Sequence, residues 1–236
     1  MGKKFLVFAS ILLASLLVLL VIYGLKYGNF LGTVGQDIVF GTVSEDAVSP
    51  QPVKNAKVIV GDKSTTTDER GKYVIKGVSP GPQRIVVEAE KYERYEKDVK
   101  IGKGRNKADI LLSLTPDETM KRWLKCLQLK RFDEAYEYLH PEDKALTSKA
   151  KYVKYWREII KKGIRIKEIK VQPAKILKTW TNPLTKKTYP NVAEMKTSLL
   201  FGVSKDSKKV NITFKWNTHL VKVGNQWKGF WVKPKR

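Results

Sequence analysis

The stretch "TTTDERGKYVIKGVSPG", residues 65–81, decides the fold of the first half of the chain, because it places residues that tight turns require on both sides of a short strand pattern. Asp68 is suited to cap its own turn through its side chain, and Gly71 supplies the positive φ of a hairpin turn or bulge. Pro80 and Gly81 suit the two central positions of a type II turn. The stretch therefore predicts two turns joined by a strand, which is a structural role and not a catalytic one.

Short runs with alternating apolar and polar residues extend on both sides of this stretch. Turn residues separate them, which is typical of an all-β unit of antiparallel strands. We expect seven strands that pack as a small sandwich. They are predicted near residues 38–43, 56–60, 64–67, 72–76, 83–90, 95–101 and 107–114.

An ordered set of motifs in this region resembles the carboxypeptidase regulatory-like family. The motifs are "GTV" at Gly41–Val43, "PVKNAKVIV" at Pro52–Val60, "TTDERGKY" at Thr66–Tyr73, "VSPG" at Val78–Gly81, "VVEAEKY" at Val86–Tyr92 and a closing "ILLSL". The resemblance implies an all-β, seven-stranded, transthyretin-like (prealbumin-like) sandwich over residues 38–114. It also implies that this sandwich is not itself a peptidase.

The remaining chain, residues 115–236, has a different periodicity. "TPDE" predicts a helix start with a capping box, in which Thr115 caps the helix and Glu118 reaches back to the cap amide. Apolar residues then recur at helical spacing in three segments, the last of which stops at Gly163. Strand patterns follow, in "IRIKEIKV", "VAEMKTSLLFGV", "VNITFKWNTHLVKV" and "WKGFWVK". Three helices before an antiparallel curved sheet make an α+β domain. Over residues 115–233 the pattern is similar to the cone-shaped nuclear transport factor 2-like superfamily, which contains both enzymes and non-enzymatic domains.

The N-terminal segment predicts a membrane anchor. Residues 5–25 contain no charged residue, which is about the length that a membrane-spanning helix needs. Lys3 and Lys4 precede the run, so we expect a cytoplasmic tail at residues 1–4, a transmembrane helix at 5–25 and a linker at 26–37. The predicted location is the cell membrane, single-pass, with both domains outside the cytoplasm.

The sequence offers few groups for catalysis or metal binding. Cys126 is the only cysteine, which excludes an intramolecular disulfide and a Cys-x-x-Cys pair. A zinc peptidase needs two histidines and a carboxylate around one metal, and the chain has only His140 and His219. Glu194 and His219 lie in predicted strands and are the candidates for an inward-facing polar group. We expect no catalytic, cofactor or metal site.

The charge is distributed unevenly. Residues 38–115 hold 14 basic and 11 acidic residues, whereas residues 116–236 hold 29 and 11, a net charge of +18 out of +23 for the whole chain. Such a field attracts polyanions. The predicted anion-binding surface consists of Lys154, Arg157, Lys161, Lys186, Lys187, Lys208 and Lys209.

These features favour a non-enzymatic binding or scaffold protein of the cell envelope, with the sandwich as a stalk and the basic domain as the interaction module. The predicted partners are the membrane through residues 5–25, and an anionic wall polymer, acidic lipid headgroups or DNA, or an envelope protein. Two alternatives remain open. One is a small-molecule enzyme or ligand carrier that uses the cone cavity, and the other is an accessory subunit of a cell-wall synthesis or secretion complex.

Overall fold

The structure, a computed structural model, describes residues 37–47, 50–205 and 208–231. The predicted cytoplasmic tail (residues 1–4) and transmembrane helix (residues 5–25) lie outside this part of the chain, as does the linker up to residue 36. Among the residues that are described, no helix is long and apolar enough to cross a membrane.

The described residues of the first unit, 38–114, form eight strands in two four-stranded sheets. One sheet has the order β4-β1-β7, with β8 also paired to β1, and the other has the order β3-β2-β5-β6. Val39, Val58 and Val87 are fully buried in the core between them. The strands are β1 Ile38–Glu45, β2 Lys57–Val60, β3 Lys63–Thr66, β4 Lys72–Lys76, β5 Gly81–Glu88, β6 Tyr95–Ile101, β7 Arg105–Lys107 and β8 Ile110–Leu112.

The turn stretch adopts the geometry that its residues dictate. The Asp68 carboxylate Oδ1 accepts hydrogen bonds from the backbone N–H groups of Arg70 and Lys72, at 2.9 and 2.7 Å. Gly71 has φ = 69°, and a Cβ at this position would lie 2.4 Å from the carbonyl oxygen of Val43. Gly81, which follows Pro80, has φ = 117°. The loop therefore tolerates no larger residue at position 71 without movement of the backbone.

The prediction of seven strands is wrong, because an eighth strand, β7, lies almost entirely before the last predicted run, residues 107–114, which forms only β8; the chain breaks between these two strands. The break lies at Asp109, whose Oδ1 accepts from both the N–H and the hydroxyl of Thr42 at 3.0 Å. A side chain thus bonds to the β1 backbone between β7 and β8. Both short strands pair parallel to β1, at its two ends.

The second unit, residues 115–231, contains four helices followed by one five-stranded sheet. Its sheet has the order β10-β11-β12-β13, and β9 also pairs with β11. The helices are α1 Pro116–Gln128, α2 Phe132–Glu137, α3 Pro141–Leu146 and α4 Lys149–Lys161. The strands are β9 Ile164–Val171, β10 Lys175–Thr181, β11 Thr188–Lys205, β12 Lys208–Val223 and β13 Gln226–Gly229.

The predicted fold class is wrong for the chain as a whole, which is mostly β with few helices. The second unit has four helices in place of three, because Pro141 occupies the first position of α3, where its missing N–H costs nothing. β10 was not predicted, because most of its side chains are exposed and do not alternate. Thr115 lies at the N-cap of α1 but makes no side-chain cap bond, which corrects the expected capping box.

The helices cover one face of the sheet and leave most of the other open, except where Val192 and Val221 are buried in a small separate cluster. Met195 and Leu199 of β11 are buried with Trp123 and Tyr152 of the helices in one core. Because side chains alternate along a strand, Lys196 and its alternate neighbours lie on the opposite side. We call these sides the helix face and the open face.

Polar contacts join the two units. The Glu45 carboxylate, only 5% exposed, accepts from both terminal nitrogens of the Arg122 guanidinium at 2.9 Å and also from the Tyr92 hydroxyl. Burial, together with the hydrogen bond to Glu45, raises the pKa of Tyr92 to about 12, so its hydroxyl remains a donor at neutral pH. Trp227 Nε1 donates to Glu93 at 2.9 Å. The sandwich is thereby fixed against the helices and β13 of the second unit.

Candidate anion-binding groove

A groove of about 590 Å³ lies on the open face of the sheet, and three lysines line it. Lys170, Lys196 and Lys215 come from β9, β11 and β12 respectively. The strand register brings them together, because Ser198 of β11 lies opposite both Lys170 and Lys215. Neighbouring strands are about 4.8 Å apart, so the Cα atoms of Lys170 and Lys215 are about 10 Å apart across β11.

The other lining residues are polar apart from Leu200 and Trp216. Gln172 and Asn217 flank Lys196 in one row across the strands, and Glu168 and Thr213 flank Leu200 in another. Amide and hydroxyl groups donate and accept hydrogen bonds, which suits a ligand with both anionic and hydroxyl groups. We call this set the sheet groove; it comprises Glu168, Lys170, Gln172, Lys196, Thr197, Ser198, Leu200, Thr213, Lys215, Trp216 and Asn217.

The charge of the sheet groove is only partly compensated. Lys170 Nζ lies 2.9 Å from Glu168 Oε1, and both side chains are exposed. Among the described residues, no carboxylate lies within ion-pair distance of Lys196 or Lys215. With three lysines and one glutamate, the groove carries a formal net charge of +2. It therefore has two cations available for an incoming anion.

A bulge in the sheet places a fourth cation beyond the groove. The pairing of β11 with β9 shifts between Leu200 and Phe201. Lys167 crosses the open face there and donates to Asn211 Oδ1 at 2.8 Å. A Cβ on Gly202 would lie 2.4 Å from Lys167 Cε, so the glycine makes room for this lysine. The positive surface thus continues toward the end of β11.

The basic residues that the sequence indicated are not brought together into one surface. Lys154, Arg157 and Lys161 lie exposed along α4, where Lys161 pairs with Glu158 at 2.8 Å. Lys186 and Lys187 lie in the loop before β11, while Lys208 and Lys209 begin β12, after β11 has ended. β11 has 18 residues. At about 3.4 Å per residue, these two lysine pairs are about 60 Å apart along the strand.

Lys187 is already engaged within the protein. Its Nζ forms an ion pair with Glu142, which also accepts from the Tyr189 hydroxyl, and it lies 5.5 Å from the centroid of the Tyr189 ring. The Lys187 bond holds the pKa of the Glu142 carboxyl below its usual range. This lysine fixes α3 to the start of β11.

Glu194 and His219 lie opposite each other on β11 and β12 and bind each other. His219 Nε2 is 2.9 Å from Glu194 Oε2, which also accepts from Asn217 Nδ2 at 3.3 Å. The imidazole stacks on Trp180 with ring centroids 4.3 Å apart. Glu194 and His219 thus have partners within the protein and form a contact between β11 and β12.

His140 and Asp143 occupy positions at α3 that give them structural partners. His140 Nδ1 accepts from the backbone N–H of Glu142 at 3.3 Å, and burial lowers the pKa of this histidine. Asp143 accepts from the backbone N–H of Trp231, and burial raises its pKa to about 6. Burial likewise raises the pKa of the Cys126 thiol. Within the described part of the chain, no three His, Cys, Asp or Glu side chains are grouped to hold a metal ion.

Sequence reasoning missed the sheet groove. Its three lysines lie in separate strands, and in the sequence each appears only as one polar residue of an alternating strand pattern. Alternation with apolar residues indicates which face each lysine occupies, but only the register of three strands shows that they converge. The signal available in the sequence was the position of Lys170, Lys196 and Lys215 opposite the apolar side of their strands.

Comparison with known proteins identifies the first unit. Residues 38–115 match the family model of the carboxypeptidase regulatory-like domain, which confirms the resemblance of the sandwich. Domains of this family are non-catalytic. No comparison shows a nuclear transport factor 2-like domain in the rest of the chain. The search of curated proteins gave no match.

Several solved structures are similar at low sequence identity. A cohesin–X-dockerin complex from Acetivibrio cellulolyticus matches at 21% identity and TM-score 0.30, over 33% of this chain and 58% of that one, which is less than two thirds of its length. A Bacteroides uniformis protein provisionally described as carbohydrate binding matches at 12% identity and TM-score 0.28, over 77% of this chain and 100% of that one. A membrane-associated protein of unknown function from Bacteroides fragilis matches at 11% identity and TM-score 0.27, over 76% and 94%. These scores are too low to assign a function.

Proposed function

We propose that the protein is a non-enzymatic binding protein whose sheet groove holds an extended polyanion. The observation that carries the proposal is the convergence of Lys170, Lys196 and Lys215 in one open groove of about 590 Å³. An open, lysine-lined groove is typical of sites that follow a charged backbone without reading its sequence. The ligand class is a chain polymer with repeated phosphate or carboxylate groups.

The remaining structure supports a binding role over a catalytic one. Trp123, Tyr152 and Met195 fill the space between the helices and the sheet, where a small-molecule site of the predicted kind would lie. Glu194 and His219, the candidate polar pair, bind each other. The first unit belongs to a domain type that is non-catalytic and is joined to the second by the Glu45–Arg122 pair. It therefore serves as a rigid support for the groove.

We place the protein at the cell envelope, with the groove outside the cytoplasm and an anionic wall polymer as its ligand. This location rests on the composition of residues 1–26. Protease treatment of intact cells tests it, because external residues 38–236 would be digested without lysis. Protection until lysis would contradict it.

Binding of a single-stranded oligothymidylate, used as a polyanion of known charge spacing, tests the groove. The triple variant Lys170→Ala, Lys196→Ala and Lys215→Ala is compared with a control, Lys154→Ala, Arg157→Ala and Lys161→Ala, which removes the same charge from α4. We expect the groove variant to bind at least about tenfold more weakly than the α4 variant, since three direct contacts are lost. Equal losses would show that only net charge matters, and a larger loss from the α4 variant would favour the predicted helix surface.

A further inference from the structure

The first half of β12 forms an unpaired edge of the sheet. One side of β12 pairs with β11 from Lys208 to Leu220, whereas on the other side β13 pairs only with Leu220 to Val223. Among the described residues, no strand pairs with the outer side of residues 209–219. This edge therefore presents backbone N–H and C=O groups that can bond to another strand.

The same segment exposes four large apolar side chains on the helix face. Val210, Ile212, Phe214 and Trp216 are 54%, 42%, 55% and 38% exposed. Leu199 lies opposite Phe214 on β11 and is only 3% exposed, because the helices cover it. The helix layer thus does not reach the first half of β12, although it covers Leu220 near the end of this strand. We call the four exposed residues the apolar stripe.

The edge carries few of the features that protect edge strands in monomeric proteins. Such edges usually carry charged side chains, lysine above all, a proline, a bulge or an inward-pointing charge, and Lys208 and Lys209 supply charge only at the start of β12. The described side chains from Val210 to Trp216 include one charge, Lys215, which points to the open face. The pairing of β12 with β11 runs without a shift of register. This edge can therefore hydrogen-bond to another strand through its backbone and pack against it through its apolar side chains.

We propose that the edge pairs with the same edge of a second copy of this chain, antiparallel and across a two-fold axis at Thr213. In this register Val210 faces Trp216 of the second copy and Ile212 faces Phe214, so each apolar residue meets an apolar one. On the open face Thr213 faces itself, Asn211 faces Lys215 and Lys209 faces Asn217. No lysine lies opposite a lysine.

A shift of the two-fold axis by one residue in either direction gives less favourable pairs of side chains. The second copy is therefore expected to pair about Thr213. An axis at Ile212 sets Lys209 opposite Lys215, and like charges directly opposite destabilise a strand pair. An axis at Phe214 leaves Val210 opposite Thr218. The self-complementarity of the stripe about Thr213 is the property that a two-fold interface requires, because each residue must suit its own partner.

Cysteine crosslinking of the full chain tests the register. With Thr213→Cys, the two introduced residues would have Cα atoms about 4.5 to 5.5 Å apart, within the range of a disulfide. With the control Asn211→Cys, they would be about 14 Å apart, since four residues separate them along the strand. Cys126 is buried, and the wild-type chain, which has only this cysteine, measures the background level of crosslinking. Mild oxidation should yield covalent dimers with Thr213→Cys only; no dimer, or equal dimer with both variants, would overturn the proposal.

Sedimentation equilibrium of the full chain, with the same detergent in every sample, tests the stripe separately. Phe214→Lys is matched by Ile176→Lys, because the two residues are 55% and 54% exposed and both lie in strands. Each dimer would lose two apolar contacts and gain two charges, so the dimer Kd should rise at least about tenfold for Phe214→Lys. Ile176→Lys should leave it unchanged. A monomeric wild-type chain, or a dimer indifferent to Phe214→Lys, would refute the pairing.

Discussion

Replacing Arg122 by methionine tests how the two units are held together. The change keeps most of the aliphatic length and removes the guanidinium that binds Glu45 through two bonds of 2.9 Å. The Glu45 carboxylate, 5% exposed, would then remain buried with only the Tyr92 hydroxyl as a donor.

The expected loss follows from the burial of the pair. Removing one partner of a fully buried ion pair costs about 3–5 kcal/mol. Arg122 is 30% exposed and Tyr92 still donates, so we expect a loss of about 2–4 kcal/mol in the free energy of unfolding. Adding Glu45→Gln to Arg122→Met should restore part of it, because the unpaired charge is then gone.

Urea unfolding of the full chain provides the assay, with Arg84→Met as the matched control. Arg84 binds Asp98 at 2.9 Å, but the two side chains are 62% and 76% exposed, and we expect no measurable loss there. If Arg122→Met lowers the urea midpoint no more than Arg84→Met, the junction does not depend on this pair. The same conclusion holds if Glu45→Gln restores nothing.

Three further predictions concern single residues. Asp143→Asn should raise the melting temperature relative to the wild type, and the difference should grow as the pH increases through about 6. The reason is that the folded wild type binds the Asp143 proton more tightly than the unfolded chain does and loses this stability when Asp143 ionises. A difference that does not depend on pH would contradict this prediction. Gly41→Ala should destabilise the sandwich by about 1–3 kcal/mol in urea unfolding, since its Cβ would lie 2.0 Å from the Ala108 carbonyl oxygen; a neutral effect would show that the strands yield easily. Thr67→Val should cost about 1–3 kcal/mol in the same assay, because the buried Thr67 hydroxyl donates to Val53 O at 2.7 Å and accepts from Ala56 N at 2.9 Å, and an unchanged midpoint would exclude a structural role for these bonds.

Local chemistry explains which parts of the fold could be predicted. Asp68 and Gly71 determine their turn through bonds and dihedral angles within a few residues, so the sequence alone was sufficient there. The break between β7 and β8 lies where Asp109 binds Thr42, which is 67 residues away in the sequence. No local pattern contains that contact.

The candidate site illustrates the same limit. Each lysine of the sheet groove is visible in the sequence, but their convergence depends on how β9 and β12 align with β11. The net charge of +18 in the second half pointed to this part of the chain, whereas the choice of residues within it required the register. Exposed lysines on α4 and in loops are easier to notice and are scattered in the structure.

The salt dependence of polyanion binding tests the central claim most directly. For a single-stranded nucleic acid, the slope of log Kobs against log[salt] changes by about 0.7 for each phosphate contact. Lys196 lies between Lys170 and Lys215 in the groove, so Lys196→Ala should make the slope shallower by about 0.7. Lys154→Ala, on α4, should give the same slope as the wild type. The groove account is contradicted if the two variants change the slope equally or if Lys196→Ala leaves it unchanged.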